Sequence, residues 1–188
     1  MKKITLYMQI SLNGIVSHVD EWMTFSDEIV EEAYEYYKTL DTLVIGGRTY
    51  PSMAEYWMTA EQSSASALER SFAQRINAIR KIVVARSERE LVWPNSELWV
   101  LKDEESLVRK VESLKETEGK NISVESGVNT WQLFLRNALF DEIWLYVHPV
   151  VAARGERLFA DVNAPFSFRL LDHTVHRNGV VGLRYERI

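Results

Sequence analysis

The sequence predicts an α/β protein built on a mostly parallel sheet with an antiparallel edge. Short apolar runs alternate with stretches of helical period as far as residue 140. Beyond Asp141 the pattern changes, and two strand-like runs flank Asn178-Gly179, a hairpin signal of type I′. Two of the earlier apolar runs break onto glycine turns, Gly46-Gly47-Arg48-Thr49 and Glu125-Ser126-Gly127, each followed by a helix-like segment.

Residues 4–10 alternate apolar and polar side chains, as a strand does, and run into the turn Ser11-Leu12-Asn13-Gly14. Ser26 is a good N-cap, with Asp27 and Glu28 in the first turn of a helix whose inner face is Ile29, Ala33, Tyr36, Tyr37 and Leu40. Residues 42–45 form a short, continuously apolar strand, suited to a sheet covered on both faces. Residues 56–66 are the least regular stretch and are expected to be a surface loop. Ser66 and Glu69 have capping-box spacing ahead of the stripe Leu68, Phe72, Ile76, Ile79. Strands follow at 81–85 and 97–101, then a helix capped by Asp103 with Leu107, Val111 and Leu114 inward and Gly119 at its C-cap. Residues 122–124 are a strand, Trp131, Phe134, Leu135 and Ala138 mark a helix, and 142–151, 168–176 and 180–186 complete the sheet.

At 188 residues and 46% hydrophobic, with no domain boundary or repeat, residues 1–188 fit a single domain with a sizeable core. A net charge of −5 gives no electrostatic footprint for nucleic acid or an anionic membrane, so any anion site must be local. The absence of cysteine excludes thiol catalysis, disulfides and Cys-ligated metals. Of four histidines only His173 and His176 are close, and at that spacing a strand points them to opposite faces; no metal is expected. No apolar run reaches the roughly 20 residues of a membrane span, and the N-terminus lacks a secretory signal's apolar core; a cytoplasmic protein is expected.

The glycine turns carry the functional expectation. A strand that ends in glycine and opens a helix offers backbone N–H groups to a phosphate, and two such turns would clamp an elongated dinucleotide from both ends. Arg48 adds a cationic fork and Thr49 a hydroxyl. Neither a Gly-x-Gly-x-x-Gly fingerprint nor a Gly-Lys-Ser/Thr phosphate loop is present, nor is a nucleophile elbow. Glu32, at the flank of its helix stripe, and Asp20, in the loop after the first strand, are the candidate proton donors.

In order and spacing these segments resemble the dihydrofolate reductase-like superfamily, nearest the reductase domain of the bifunctional riboflavin-biosynthesis deaminase–reductase. Ser11-Leu12-Asn13-Gly14 resembles a Ser-x-Asp-Gly turn, residues 43–50 resemble a strand followed by Gly-Arg-x-Thr, and Val124-Glu125-Ser126-Gly127 resembles Val-Glu-Gly-Gly. Leu139-Phe140-Asp141-Glu142, the downstream Pro149-Val150, and Gly155-Glu156-Arg157-Leu158-Phe159 are further matches. The resemblance implies a three-layer α/β/α sandwich, NADPH as hydride donor and a small polar heterocycle, pterin-like or aminopyrimidine-like, as substrate. It places Gly46, Gly47, Arg48 and Thr49 against the cofactor phosphates, and Arg86 and Ser87 near its 2′-phosphate. Ser126, Gly127, Val128, Asn129 and Thr130 would hold the pyrophosphate from the other side, with Asn13, Gly14 and Trp22 toward substrate. Ser126 replaces a glycine and Asn13 an aspartate; because of Ser126 and the lack of a clear catalytic acid, a non-catalytic ligand-binding or scaffolding homodimer is the alternative. A homodimer is expected in either case, through an apolar edge formed by 142–151 and the C-terminal hairpin.

Overall fold

A computed structural model describes residues 1–24, 26–160, 162 and 165–188. Eight strands form one sheet in the order β4-β3-β2-β5-β1-β6-β8-β7. They are β1 (Ile4–Ser11), β2 (Leu40–Gly46), β3 (Arg80–Ala85), β4 (Ser96–Val100), β5 (Asn121–Val124), β6 (Glu142–His148), β7 (Phe168–Val175) and β8 (Val181–Arg187). From β4 to β6 every neighbouring pair is parallel, while β6–β8 and β8–β7 are antiparallel. Helices α1 (Asp27–Tyr37), α2 (Tyr50–Ser63) and α3 (Ala67–Ala78) cover one face; α4 (Glu104–Glu116) and α5 (Val128–Arg136) cover the other.

The strands are apolar on both faces because successive side chains point to opposite layers. Leu6, Met8, Val44, Ile82 and Val84 pack with Leu107, Val111, Trp131 and Phe134 of α4 and α5. Their chain neighbours Tyr7, Leu43, Ile45 and Val83 pack with Ile29, Ala33, Tyr37, Phe72 and Ile76 on the α1–α3 side. The expected three-layer sandwich with an antiparallel C-terminal hairpin is the architecture found. Ser26 caps α1 by accepting from the Ile29 amide, and Asp103 caps α4 by accepting from the Ser106 amide at 2.7 Å.

Several local expectations are corrected. Residues 56–63 are helical rather than loop, because α2 runs from Tyr50 to Ser63; only 64–66 are irregular. Only Tyr50, Ala54 and Ala60 of α2 are buried, and it packs on α3 rather than on the sheet, so its sequence lacks a broad apolar stripe. Leu40 opens β2 instead of closing α1, and α4 ends at Thr117 rather than at Gly119. Strand β6 stops at His148, before Pro149, and lies between β1 and β8, so it is not a sheet edge. The hairpin turn is not type I′. Among the described non-glycine residues Asn178 does not take a positive φ, whereas Gly179 does (φ 84°). The Gly179 amide donates to His176 O and the His176 amide to Val180 O, giving a three-residue loop with glycine in the left-handed position.

The topology brings the carboxyl ends of β1, β2, β3 and β5 to one side of the sheet, where open α/β sheets bind ligands. The α5 side of the core holds that edge in place. Phe134→Ala, at a fully buried position (0% exposed), is expected to cost about 3–5 kcal/mol, read as a lower urea midpoint with an unchanged m-value.

Candidate active-site cleft

A cleft of about 1460 Å³ opens along these strand ends. That exceeds the roughly 300–1,000 Å³ of a pocket for one small molecule, leaving room for a dinucleotide and a second ligand together. Its walls are the ends of β1, β2, β3 and β5, the first turn of α5, and α1–α3 on one flank.

The two glycine turns lie against each other. The Gly46 amide donates to Ser126 Oγ at 2.7 Å, and the Gly127 amide donates to Thr49 Oγ1 at 2.9 Å. A Cβ on Gly46 would stand 2.6 Å from Ser126 Oγ, so glycine there is required by the approach of the second turn. Gly47 donates to Val84 O at 2.8 Å and Thr49 to Gly46 O at 3.0 Å. The first turn was expected to present bare N–H groups. Three of its four amides, those of Gly46, Gly47 and Thr49, are instead satisfied within the protein.

Open donors come from the second turn. Gly127 is the N-cap of α5 and makes no side-chain cap, so the first-turn amides of Val128, Asn129 and Thr130 face the cleft with the positive end of the helix dipole. Ser126 is only 8% exposed, and its side chain turns toward Gly46 rather than out over the helix terminus. It therefore does not obstruct that terminus, contrary to what its size suggests from sequence.

Arg48, Arg86 and Ser87 are exposed and line the cleft. Arg89 is the cation that sequence reading missed. Its Nη1 donates to Gly47 O, and a Cβ on Gly47 would fall 2.5 Å from its Cζ. Arg89 Nε is buried with no hydrogen-bond partner among the described residues, and no ion pair there includes Arg48 or Arg89. An orphaned guanidinium donor and an uncapped helix terminus fit the phosphates of a dinucleotide. The signal for Arg89 was its place three residues after Arg86 in the loop that ends β3.

Glu125 is the second residue missed. It lies just beyond the end of β5 and lines the cleft beside Ser126. Burial raises its pKa to about 7, against hydrogen bonds from Tyr37 Oη and Ser123 Oγ (2.9 Å) that favour the carboxylate. A carboxyl at the end of an apolar strand was the available clue, but the resemblance drew attention to the glycine after it. On the same cleft wall, Gln9 Oε1 is 2.7 Å from His148 Nε2. His148 Nδ1 accepts from the Thr24 amide at 3.4 Å, which assigns the proton to Nε2; burial lowers this histidine's pKa.

The proposed proton donors and substrate contacts are placed elsewhere. Glu32 does not line the cleft: its carboxylate is taken up by Tyr146 Oη (2.7 Å), Thr174 Oγ1 (2.8 Å) and His176 Nε2 (3.1 Å), where α1 meets the hairpin. Asp20 is exposed in the 3-10 turn Val19–Glu21, and the cleft is bordered there by Ser17, His18, Val19 and Met23 instead. Trp22 is buried, donating to Ser17 O at 2.9 Å with its ring edge on His148. Asn13 clips the segment after β6, accepting from the Ala152 amide (3.0 Å) and donating to Ala152 O (2.8 Å). Gly14 supplies a positive φ of 84° to the turn it closes. By contrast Gly46, Gly47, Arg48, Thr49, Arg86, Ser87 and 126–130 all come together on the cleft. Among the described residues no group of three or more His, Cys, Asp or Glu could hold a metal, and no helix is long and apolar enough to cross a membrane.

A mostly parallel sheet that ends in an antiparallel hairpin, with a phosphate-type cleft at its carboxyl edge, defines a reductase-like α/β protein of the dihydrofolate reductase type. The chain belongs to the RibD C-terminal domain family, whose model matches residues 2–182. It is 22% identical over 187 residues to the uncharacterized protein YyaP of Bacillus subtilis (strain 168), covering 98% of this chain and 94% of that one. A putative riboflavin biosynthesis protein from Shewanella sp. PV-4 has the same fold, with a TM-score of 0.70, 15% identity and 99% of both chains covered. So does the Thermotoga maritima diaminohydroxyphosphoribosylaminopyrimidine deaminase/5-amino-6-(5-phosphoribosylamino)uracil reductase (TM-score 0.67, 15% identity), of which this chain, fully covered, spans 57%.

The proton on Glu125 gives a test of its environment. An unfolded chain ionises this residue near 4.5, whereas the folded protein holds the proton to about 7. The folded state binds more protons between those values, so stability falls as pH rises through the window and levels off above it. Relative to Glu125→Gln, which stays neutral, the wild type is expected to lose roughly 2–3 kcal/mol from about pH 4.5 to 7. Urea unfolding of both proteins across that range measures it; a constant difference between them would refute the assignment.

Proposed function

We propose that the protein is an NADPH-dependent reductase of a small polar heterocycle, pterin-like or aminopyrimidine-like, working in the cytoplasm. One juxtaposition carries this reading. Glu125, able to hold a proton near neutral pH, is separated by two residues from Val128, whose amide begins the open helix terminus. Proton source and phosphate anchor thus belong to one short stretch of chain.

In this reading Val128, Asn129 and Thr130 donate backbone N–H groups to the pyrophosphate, and Arg48 and Arg89 neutralise its charge. Arg86 and Ser87, at the next loop, receive the 2′-phosphate. NADPH, when bound, supplies a hydride. Glu125 accepts a hydrogen bond from a ring N–H or amino group in its ionised form, and in its neutral form delivers a proton to a ring heteroatom. Tyr37 and Ser123 fix its orientation. Ser126 and the apparent lack of an acid motivated the non-catalytic alternative. The inward turn of Ser126 and the position of Glu125 favour the enzyme.

NADPH titration is expected to quench tryptophan fluorescence saturably. Arg48→Ala and Arg89→Ala should each weaken binding by roughly 10–100-fold, as loss of a charge-assisted hydrogen bond does. No quenching up to millimolar NADPH would sink the reductase reading. Binding without NADPH oxidation across a panel of pterins and aminouracils would favour the alternative.

We also propose a homodimer, formed at β7 rather than β6. That strand is one of the two edges of the sheet, and it exposes Leu170 (49%), Leu171 (40%) and Val175 (70%). Sedimentation velocity should find a dimer that Leu171→Lys with Val175→Lys converts to monomer; a monomeric wild type removes the proposal.

A further inference from the structure

The flank of the cleft formed by α1–α3 differs chemically from the rest of it. All the arginines and lysines that line the cleft, Arg48, Arg86, Arg89, Lys102 and Arg136, come from the loops after β2, β3 and β4 or from α5. His18 is in the loop after β1. Among the described residues, α1–α3 contribute no basic side chain to the lining.

What they contribute is apolar and aromatic. Val30, Ala33, Met53, Trp57 and Phe72 line this arm, with Tyr56 at its exposed end. The rings are continuous: Tyr37 meets Phe72 edge-on at 4.8 Å, Phe72 meets Trp57 at 5.1 Å, and Trp57 meets Tyr56 at 4.8 Å. Since Tyr37 Oη also donates to Glu125, the aromatic wall starts at the carboxyl and leads away from it. One other carboxylate lines the arm, Glu69, kept below the usual range by hydrogen bonds from Ser64 and then Tyr56. A phosphate in this arm would meet carboxylate charge without a cation to offset it.

On the reductase reading, which leaves this arm for the substrate, we infer that the substrate is a planar, non-anionic amino-heterocycle carrying an apolar, preferably aromatic, substituent. Its polar edge binds Glu125, and the substituent lies along Phe72 and Trp57. A phosphorylated sugar substituent, such as the one in the name of the Thermotoga maritima reductase, is excluded from this arm by charge.

A matched pair of probes tests this. 6-(Benzylamino)uracil and 6-(ribitylamino)uracil 5′-phosphate share a head group and differ only in the substituent. Calorimetric titration of each into NADPH-saturated protein at physiological salt should show the benzyl compound binding at least about 10-fold tighter. Trp57→Ala should weaken that compound about 10-fold while leaving NADPH quenching intact. Met53→Lys, which puts a cation in the arm, should raise affinity for the phosphate compound. Equal or tighter binding of the phosphate compound by the wild type overturns the inference, as does binding of neither probe up to millimolar concentration. Absence of NADPH quenching is a separate result that refutes the reductase reading.

Discussion

The cleft depends on the contact between the ends of β2 and β5. Two hydroxyls, Ser126 Oγ and Thr49 Oγ1, each accept a backbone N–H from the opposite turn, and Arg89 closes over Gly47 from the loop after β3. Each contact is an ordinary hydrogen bond, worth about 1 kcal/mol when both partners are present. Removing one acceptor would leave a cleft-edge amide without its partner, so the turns hold their relative position more firmly than the bond energies alone imply. The absence of a side chain at Gly46 is what lets the turns approach. Through this contact the start of α5 takes a fixed position beside the end of β2, and Glu125 is held at the junction.

Local electrostatics in the cleft run against the charge of the whole chain. A protein of net charge −5 concentrates arginines at the loops after β2 and β3 and sets a helix N-terminus beside the first of them. The neighbouring carboxyl responds in the opposite sense: burial pushes Glu125 up to about 7. Its position just past the end of β5 keeps it in reach of the cleft. A few residues therefore separate an environment suited to phosphate from one that retains a proton.

The flank built by α2 and α3 sets the character of the second arm. These helices pack on each other, and their facing side chains, Trp57 and Phe72 among them, form an aromatic wall along the cleft. The Glu32–Tyr146–Thr174–His176 cluster has a different role, tying α1 to the C-terminal hairpin. That network uses a carboxylate which, on a helical wheel alone, looks free to serve the cleft.

Much of the layered architecture was legible from residue pattern. Continuous apolar strands such as 42–45 require cover on both faces, and the stripes of α1, α3, α4 and α5 supply it. The caps Ser26 and Asp103 and the glycine turns were equally readable, because they depend on backbone geometry and neighbouring residues. Helix α2 was not, since its burial comes from another helix and leaves only three buried positions along fourteen residues. Nor were the roles of individual polar side chains. Ser126 spends its hydroxyl on an amide eighty positions away in sequence, Glu32 binds a hairpin more than a hundred positions away, and Arg89 and Glu125 acquire their significance from what folds against them. By itself the sequence determined the layers, the glycine turns and the family, because periodicity and turn chemistry are local. Which turn keeps free donors and which carboxyl faces the cleft was decided by tertiary structure, because hydrogen-bond satisfaction and desolvation depend on neighbours that only folding brings together.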